Sequence, residues 1–325
     1  MGYQGPTALD RSPVDRDKGC TMTDHVLTLI SAVPGGLAAE TVDGIGAALV
    51  RLGAHIGRAD WLDERTVCDL PFADLNDDQA DAAARALLAD APVDVLAQPA
   101  VDRRKRLLIA DMESTLIENE MLDELAGYVG KRAEIAGITA RAMNGELDFR
   151  GALDARVKLL AGLDAAVLDE SAGAIRYMPG ARALVQTMRA NGARTAIVSG
   201  GFRCYTQLVA RELGVAEHFG NELEVADGKL TGRVVPPVLG REAKLDTLVR
   251  LATEAALPLS ATLATGDGAN DLDMIAAAGL GIAFRAKPIV ASRAKWRVTH
   301  GDLTALLYAQ GYRASEIVGG EVVAG

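Results

Sequence analysis

Beyond residue 105, short apolar runs alternate with helix-patterned stretches, and three of these runs stop abruptly on groups that do chemistry: "RLLIAD" on Asp111, "TAIVS" on Ser199 and "TLATGD" on Asp267. Strand and helix patterns that alternate over this length predict an α/β fold with a doubly wound, mostly parallel sheet. In sheets of that kind ligands collect at the carboxyl ends of the strands. A greasy strand that runs into an aspartate is then a rigid mount that delivers the carboxylate to the mouth of the sheet.

Upstream the pattern differs. "HVLTLIS" reads as a strand, "GLAAETVDGIGAALVRLGA" as a helix, "HIGRADWL" and "RTVCDLPF" as strands, "DDQADAAARALLAD" as a helix and "VDVLAQ" as a strand. The order β-α-β-β-α-β predicts a small ferredoxin-like α+β domain over residues 22–100. "QPAVDRRKR" forms a charged, proline-containing link, so the second domain is expected over residues 101–325. Residues 1–21 are polar and aperiodic, and Met22 follows them; they are expected to be disordered or to precede a second translation start.

Composition narrows the partners. A net charge of −10 and a pI of 5.0 argue against broad attraction to nucleic acid or anionic membrane, so any anionic ligand must be held by a few local cations in a pocket. Cys20, Cys68 and Cys204 form no CxxC pair, which disfavours a disulfide framework or a structural zinc site and fits a reducing cytoplasm. No apolar run approaches the roughly 20 residues of a membrane span. The N-terminal stretch lacks the apolar centre of a signal peptide. His25, His55, His218 and His300 show no metal-ligand spacing and read as structural. "FGNELEVADGKLTGRVV" reads as a hairpin flap and "GLGIAFRAKP" as a further strand.

Taken one at a time, an aspartate after a strand is an ordinary helix cap, and "SGG" and "GDG" are ordinary turns. Their coincidence is not ordinary. Asp111 with Glu113, then Ser199, then Lys244, then Asp267 with Asn270 and Asp271 occur in that order at strand ends or helix starts of one sheet. Capping alone does not call for acidic clusters that face a hydroxyl and a lysine.

"DMESTL", "SGG", Lys244 and "GDGAND" resemble the four motifs of the haloacid dehalogenase superfamily of phosphotransferases, in the usual order. Within it the likeness is to the phosphoserine phosphatases, because "STLIENEMLDELA" and "AMNGELDFRGALDARVKLL" also agree. The resemblance spans about residues 104–312, and the N-terminal domain resembles the extra domain of some bacterial members. It implies Mg2+-dependent hydrolysis of phosphoserine to serine and phosphate, the last step of serine biosynthesis, through an aspartyl phosphate.

The resemblance makes Asp111 the nucleophile, since a carboxylate that attacks phosphorus splits a hard hydrolysis into two easier steps. By the same resemblance Glu113 is expected to serve as the general acid and then base. Asp111, the backbone carbonyl of Glu113 and Asp267 are expected to bind the metal, with Asp271 close by, because clustered carboxylates and a phosphate need a hard cation. Ser199, Gly200, Gly201, Lys244 and Asn270 would hold the phosphoryl group. A helical cap at about residues 118–175 would set specificity, with Glu120 on the substrate ammonium, Arg156 on its carboxylate, and Met143 and Phe149 as an apolar wall. Glu113 departs from the pattern, which usually has aspartate there. The expected partner is a small molecule, with a homodimer as a further possibility. The competing readings are a phosphatase or phosphotransferase for another small substrate such as homoserine phosphate, and a non-catalytic amino-acid sensor.

Overall fold

The computed structural model describes residues 24–143 and 148–319, so the expectation for residues 1–21 lies outside the described residues. The first domain is an antiparallel sheet of β1 (His25–Ser31), β2 (His55–Ile56), β3 (Asp60–Asp63), β4 (Val67–Ala73) and β5 (Val93–Pro99) in the order β2-β4-β1-β5, with β3 also on β4. Helices Ala39–Arg51 and Asp77–Leu88 present apolar stripes, Val42, Ile45 and Leu49 on one and Ala80, Ala84 and Leu88 on the other. Both stripes share a core with Leu27, Leu29, Phe72 and Val95. Asn76 caps the second helix by accepting from the Gln79 amide at 2.9 Å. "HIGRADWL" is not one strand. It breaks between β2 and β3, where Gly57 donates to the Pro71 carbonyl at 2.8 Å, because Pro71 on β4 has no N–H to return.

The second domain is built on a seven-stranded sheet. Its strands are β6 (Leu107–Ala110), β7 (Arg194–Phe202), β8 (Glu217–Ala226), β9 (Lys229–Val235), β10 (Thr262–Gly266), β11 (Leu280–Phe284) and β12 (Trp296–Val298), ordered β12-β11-β10-β6-β7-β8-β9. Neighbours pair in parallel except in the β8-β9 hairpin, whose turn places Asp227 and Gly228 at φ 49° and 74°. Apolar residues alternate between the two faces of β6: Leu108 and Ala110 join one core with helices Ala181–Ala190 and Arg203–Leu213, and Leu107 and Ile109 join another with helix Arg241–Glu254. Burial on both faces explains why the strand is continuously apolar up to Asp111.

Helices Met121–Tyr128, Arg132–Met143, Phe149–Lys158 and Val167–Ala172 form an insert between β6 and β7. Its two connecting segments pair with each other: Glu118 donates to the Arg176 carbonyl at 2.8 Å and Met178 to the Leu116 carbonyl at 2.9 Å. The far side of the insert leans on the hairpin, where Gly162 donates to Leu230 and Leu230 to Leu163, both at 2.8 Å.

The two domains are closely joined. Ile30, Leu62, Val67 and Leu96 of the first belong to the same apolar core as Leu307 and Tyr308 of the second. Asp94, 1% exposed, accepts from the amides of Thr299 at 2.7 Å, Gly301 at 2.8 Å and His300 at 3.2 Å. Gln98 donates to the Ala309 carbonyl and the Trp296 indole to the Ala97 carbonyl, both at 2.7 Å. Arg103 in the link pairs with Asp69 at 2.5 Å and reaches the carbonyls of Tyr308 and Ala309.

Candidate active site

β6 delivers Asp111 one residue beyond its end, where the Asp111 amide still donates to the Thr265 carbonyl of β10 at 3.0 Å. Its Oδ1 accepts from the Met112 amide at 2.8 Å and its Oδ2 lies 2.8 Å from Lys244 Nζ. Asp267 follows β10, and the turn Ala269–Asp271 swings Asp271 back, with Oδ2 accepting from the Gly268 amide at 2.9 Å. Gly266 permits this approach, since a Cβ there would sit 2.3 Å from Asp271 Cγ. Lys244 donates to Asp271 Oδ1 at 2.5 Å and so ties Asp271 to Asp111.

All these groups are buried, and ligand oxygens of Asp111, Asp267 and Asp271 lie within 4.8 Å of one another. Burial alone would lower the Lys244 pKa, but Asp111 and Asp271 more than reverse this and raise it. Asp271 is pushed up to about 7, by burial first and then by Asp111. Asp267 is raised as well, mainly by burial. Lys244 answers Asp111 and Asp271, and only the half-exposed Lys287, 3.5 Å away, answers Asp267, so the three carboxylates still lack positive charge, and an all-oxygen donor set of this size fits a hard divalent cation.

On the other side of Asp111, β7 bows outward. Its pairing with β8 runs in register to Val198↔Phe219 and resumes at Phe202↔Asn221, so Ser199, Gly200 and Gly201 form a bulge at the strand end. Ser199 Oγ accepts from the Gly201 amide at 2.9 Å. Gly201 faces Glu113: a Cβ on it would lie 2.4 Å from Glu113 Oε2. Glu113 Oε1 accepts from the Met121 amide, at the start of the insert, at 2.7 Å, which leaves Oε2 turned to the bulge. The Glu113 carboxyl is pushed up to about 8, by burial first and then by Glu120 and Asp111. A carboxyl that keeps its proton at neutral pH is a competent acid. Asn270 is half-buried and folds back over Gly268, its amide oxygen 2.4 Å from where a Cβ of that glycine would stand.

The insert brings Glu120 and Arg156 to the same opening. Glu120 accepts from Ser114 Oγ at 2.7 Å. Arg156 donates to the Ala152 carbonyl at 3.0 Å, and burial lowers its pKa against the pull of Glu113, Glu120 and Asp123. Met143 ends one helix of the insert and Phe149 begins the next, but their side chains lie outside the described residues, so the apolar wall stays an expectation.

Two neighbours escaped sequence reasoning. Lys287 has its Nζ 3.5 Å from Asp267 Oδ2 and its amide 3.1 Å from the Asp267 carbonyl; its signal in the sequence is the "AKP" after β11, which by itself marks only the end of a strand. Asn221, 1% exposed, holds the back of the bulge through the Gly200 carbonyl. The histidines lie outside the carboxylate cluster: His25 pairs with Asp77 and His55 with Asp74, both at 2.7 Å, while His218 meets Thr206.

The family model for haloacid dehalogenase-like hydrolases matches residues 108–276, the span that carries Asp111, Ser199, Lys244, Asp267 and Asp271. The chain belongs to this family. The hydrolase is 39% identical over 302 residues to the phosphoserine phosphatase of Streptomyces coelicolor, a match that covers 91% of this chain and 73% of that protein. Its fold superposes on the crystal structure of a probable phosphoserine phosphatase from Vibrio cholerae with a TM-score of 0.73 at 29% identity, over 91% of this chain and 88% of that one. A structure described as a phospho-aspartyl intermediate analogue of phosphoserine phosphatase matches 63% of the hydrolase and 98% of that chain, at 38% identity and a TM-score of 0.60.

Proposed function

We propose that this hydrolase is a Mg2+-dependent phosphoserine phosphatase that works through an aspartyl phosphate on Asp111. The observation that carries the reading is the cluster of Asp111, Asp267 and Asp271, with Lys244 on Asp111 and Asp271, beside the Ser199–Gly201 bulge and a Glu113 poised to carry a proton. The names of the relatives supply the substrate, and the solved phospho-aspartyl intermediate analogue of one relative supplies the kind of intermediate.

Phosphoserine enters with its phosphate toward the strand ends. Glu120 meets its ammonium and Arg156 its carboxylate. Asp111 attacks phosphorus, the bond to the seryl oxygen breaks, and Glu113 gives that oxygen its proton, so serine leaves as the alcohol. Water then attacks the phosphorus of the acyl phosphate while Glu113 takes its proton back, which regenerates Asp111 and releases phosphate. Lys244, the Ser199 hydroxyl and the amides of the bulge hold the phosphoryl oxygens throughout. Asp111, Asp267, Asp271 and the Glu113 carbonyl would hold Mg2+, which supplies charge neutralisation when bound. The insert closes over the site and keeps bulk water out. The reading places the reaction in the last step of serine biosynthesis and in the cytoplasm, where the unpaired Cys68 and Cys204 are at home; among the described residues no helix is long and apolar enough to cross a membrane.

Asp111→Asn tests the assignment. The nearly isosteric variant should fold and release phosphate from phosphoserine at a rate lower by at least about 10³-fold, as expected when the nucleophile is lost. Near-wild-type turnover in that variant rules out Asp111 as the attacking group.

A further inference from the structure

The bulge in β7 frees backbone groups from the ladder, and one of them, the Gly200 carbonyl, is held by a side chain from the neighbouring strand. Five residues of β7, Val198 to Phe202, span three of β8, Phe219 to Asn221, so the backbone of Ser199–Gly201 drops out of the ladder. A carbonyl drawn even partly out of water is costly without a partner, and the half-buried Gly200 carbonyl, freed in this way, gains from a donor elsewhere. Asn221 provides it. Its Nδ2 donates to the Gly200 carbonyl at 2.8 Å and to the Leu239 carbonyl at 3.2 Å, and its Oδ1 accepts from the Leu239 amide at 2.7 Å. Leu239 immediately precedes Gly240, the N-cap of helix Arg241–Glu254, which carries Lys244. One buried carboxamide thus grips both the bulge and the root of the helix whose lysine holds Asp111 and Asp271.

We propose that Asn221 is a positioning residue that sets the Ser199–Gly201 bulge and Lys244 in register with each other around the transferring phosphoryl group. The inference rests on the phosphatase reading above. Asn221 touches no reacting atom, so its effect falls on the geometry of the transition state and spares the amino-acid end of the substrate.

The test uses the full chain with Asn221→Ala and Asn221→Asp, the second keeping the shape and the acceptor for Leu239 but losing both donors. A displacement of the bulge by a fraction of an ångström should lower kcat on phosphoserine about 30- to 100-fold in both variants, with KM within about threefold. Orthovanadate, which mimics the five-coordinate phosphoryl group, should inhibit at least about tenfold more weakly, while product inhibition by L-serine is unchanged. If Asn221→Ala does not fold, the Asp variant decides. A kcat within about threefold of wild type in either folded variant overturns the proposal, as does equal weakening of vanadate and serine, which marks general loosening. Asp111→Asn in the same assay separates the two claims: if that variant stays active the phosphatase reading fails, and if it is dead while the Asn221 variants run normally only the role of Asn221 falls.

Discussion

Glu113 differs by one methylene from the aspartate usual in the family's first motif, and the structure shows what the longer arm reaches. Its Oε1 takes the Met121 amide at the start of the insert, and its Oε2 stands against Gly201. Glu113→Gln should slow formation and breakdown of the acyl phosphate by about 10²–10⁴-fold in rapid-quench measurements; full activity removes Glu113 from proton transfer. Glu113→Asp should keep substantial activity without exceeding wild type, because the shorter arm gives up the Met121 amide. Gly201→Ala should be as damaging as the Gln change, since its Cβ would fall 2.4 Å from Glu113 Oε2; normal turnover would show that the bulge yields freely. Asp111, Ser199 and Asp267 were legible in the sequence because each ends an apolar run with a group that such a run does not need. Asn221 was not: a lone asparagine in a hairpin has no period, and its value depends on a bulge in a different strand. Lys287 is hidden in the same way, its approach to Asp267 set by a turn beyond the end of β11.

Among the elements, the insert and the Asp267–Asp271 turn do separate work. The insert carries Arg156, so Arg156→Ala should raise KM for phosphoserine strongly and leave a small aryl phosphate, which has no carboxylate to hold, much less affected. Equal losses on both substrates would make Arg156 structural. The turn completes a cluster of like charges, so Mg2+ should stabilise the fold, by about 2.7 kcal/mol at a hundred times its Kd. In a thermal melt, chelator should remove that shift and Asp271→Asn should largely abolish it; an unchanged shift in the variant would exclude Asp271 from the cation site. The alternation of strand and helix was plain in the sequence because both faces of a parallel sheet are buried. The break between β2 and β3 was not, since it follows from Pro71 on the neighbouring strand meeting Gly57 across the sheet.

The molecule as a whole is less modular than its charged link suggests. Arg103 of that link is spent on Asp69 and on carbonyls of the second domain, and Asp94 holds the amides of residues 299–301 from the other side. Nothing in the runs "HVLTLIS" and "VDVLAQ" says which face meets the first domain's own helices and which meets its neighbour. A chain that begins at Val101 keeps every group proposed to act in catalysis but uncovers the apolar surface that Ile30, Leu62, Val67 and Leu96 protect. It should retain kcat on phosphoserine within about threefold and melt at least about 5 °C lower, as a loss of a few kcal/mol requires in a domain of this size; a folded but inactive truncation would mean that the first domain completes the site. The most direct test of the whole account is phosphate release by the full chain from O-phospho-L-serine, phosphothreonine and homoserine phosphate, each with Mg2+ and with chelator. The highest kcat/KM should fall on phosphoserine, lost with chelator and restored by Mg2+. A higher value on either of the other esters, or a phosphoserine rate that survives chelation, would contradict it.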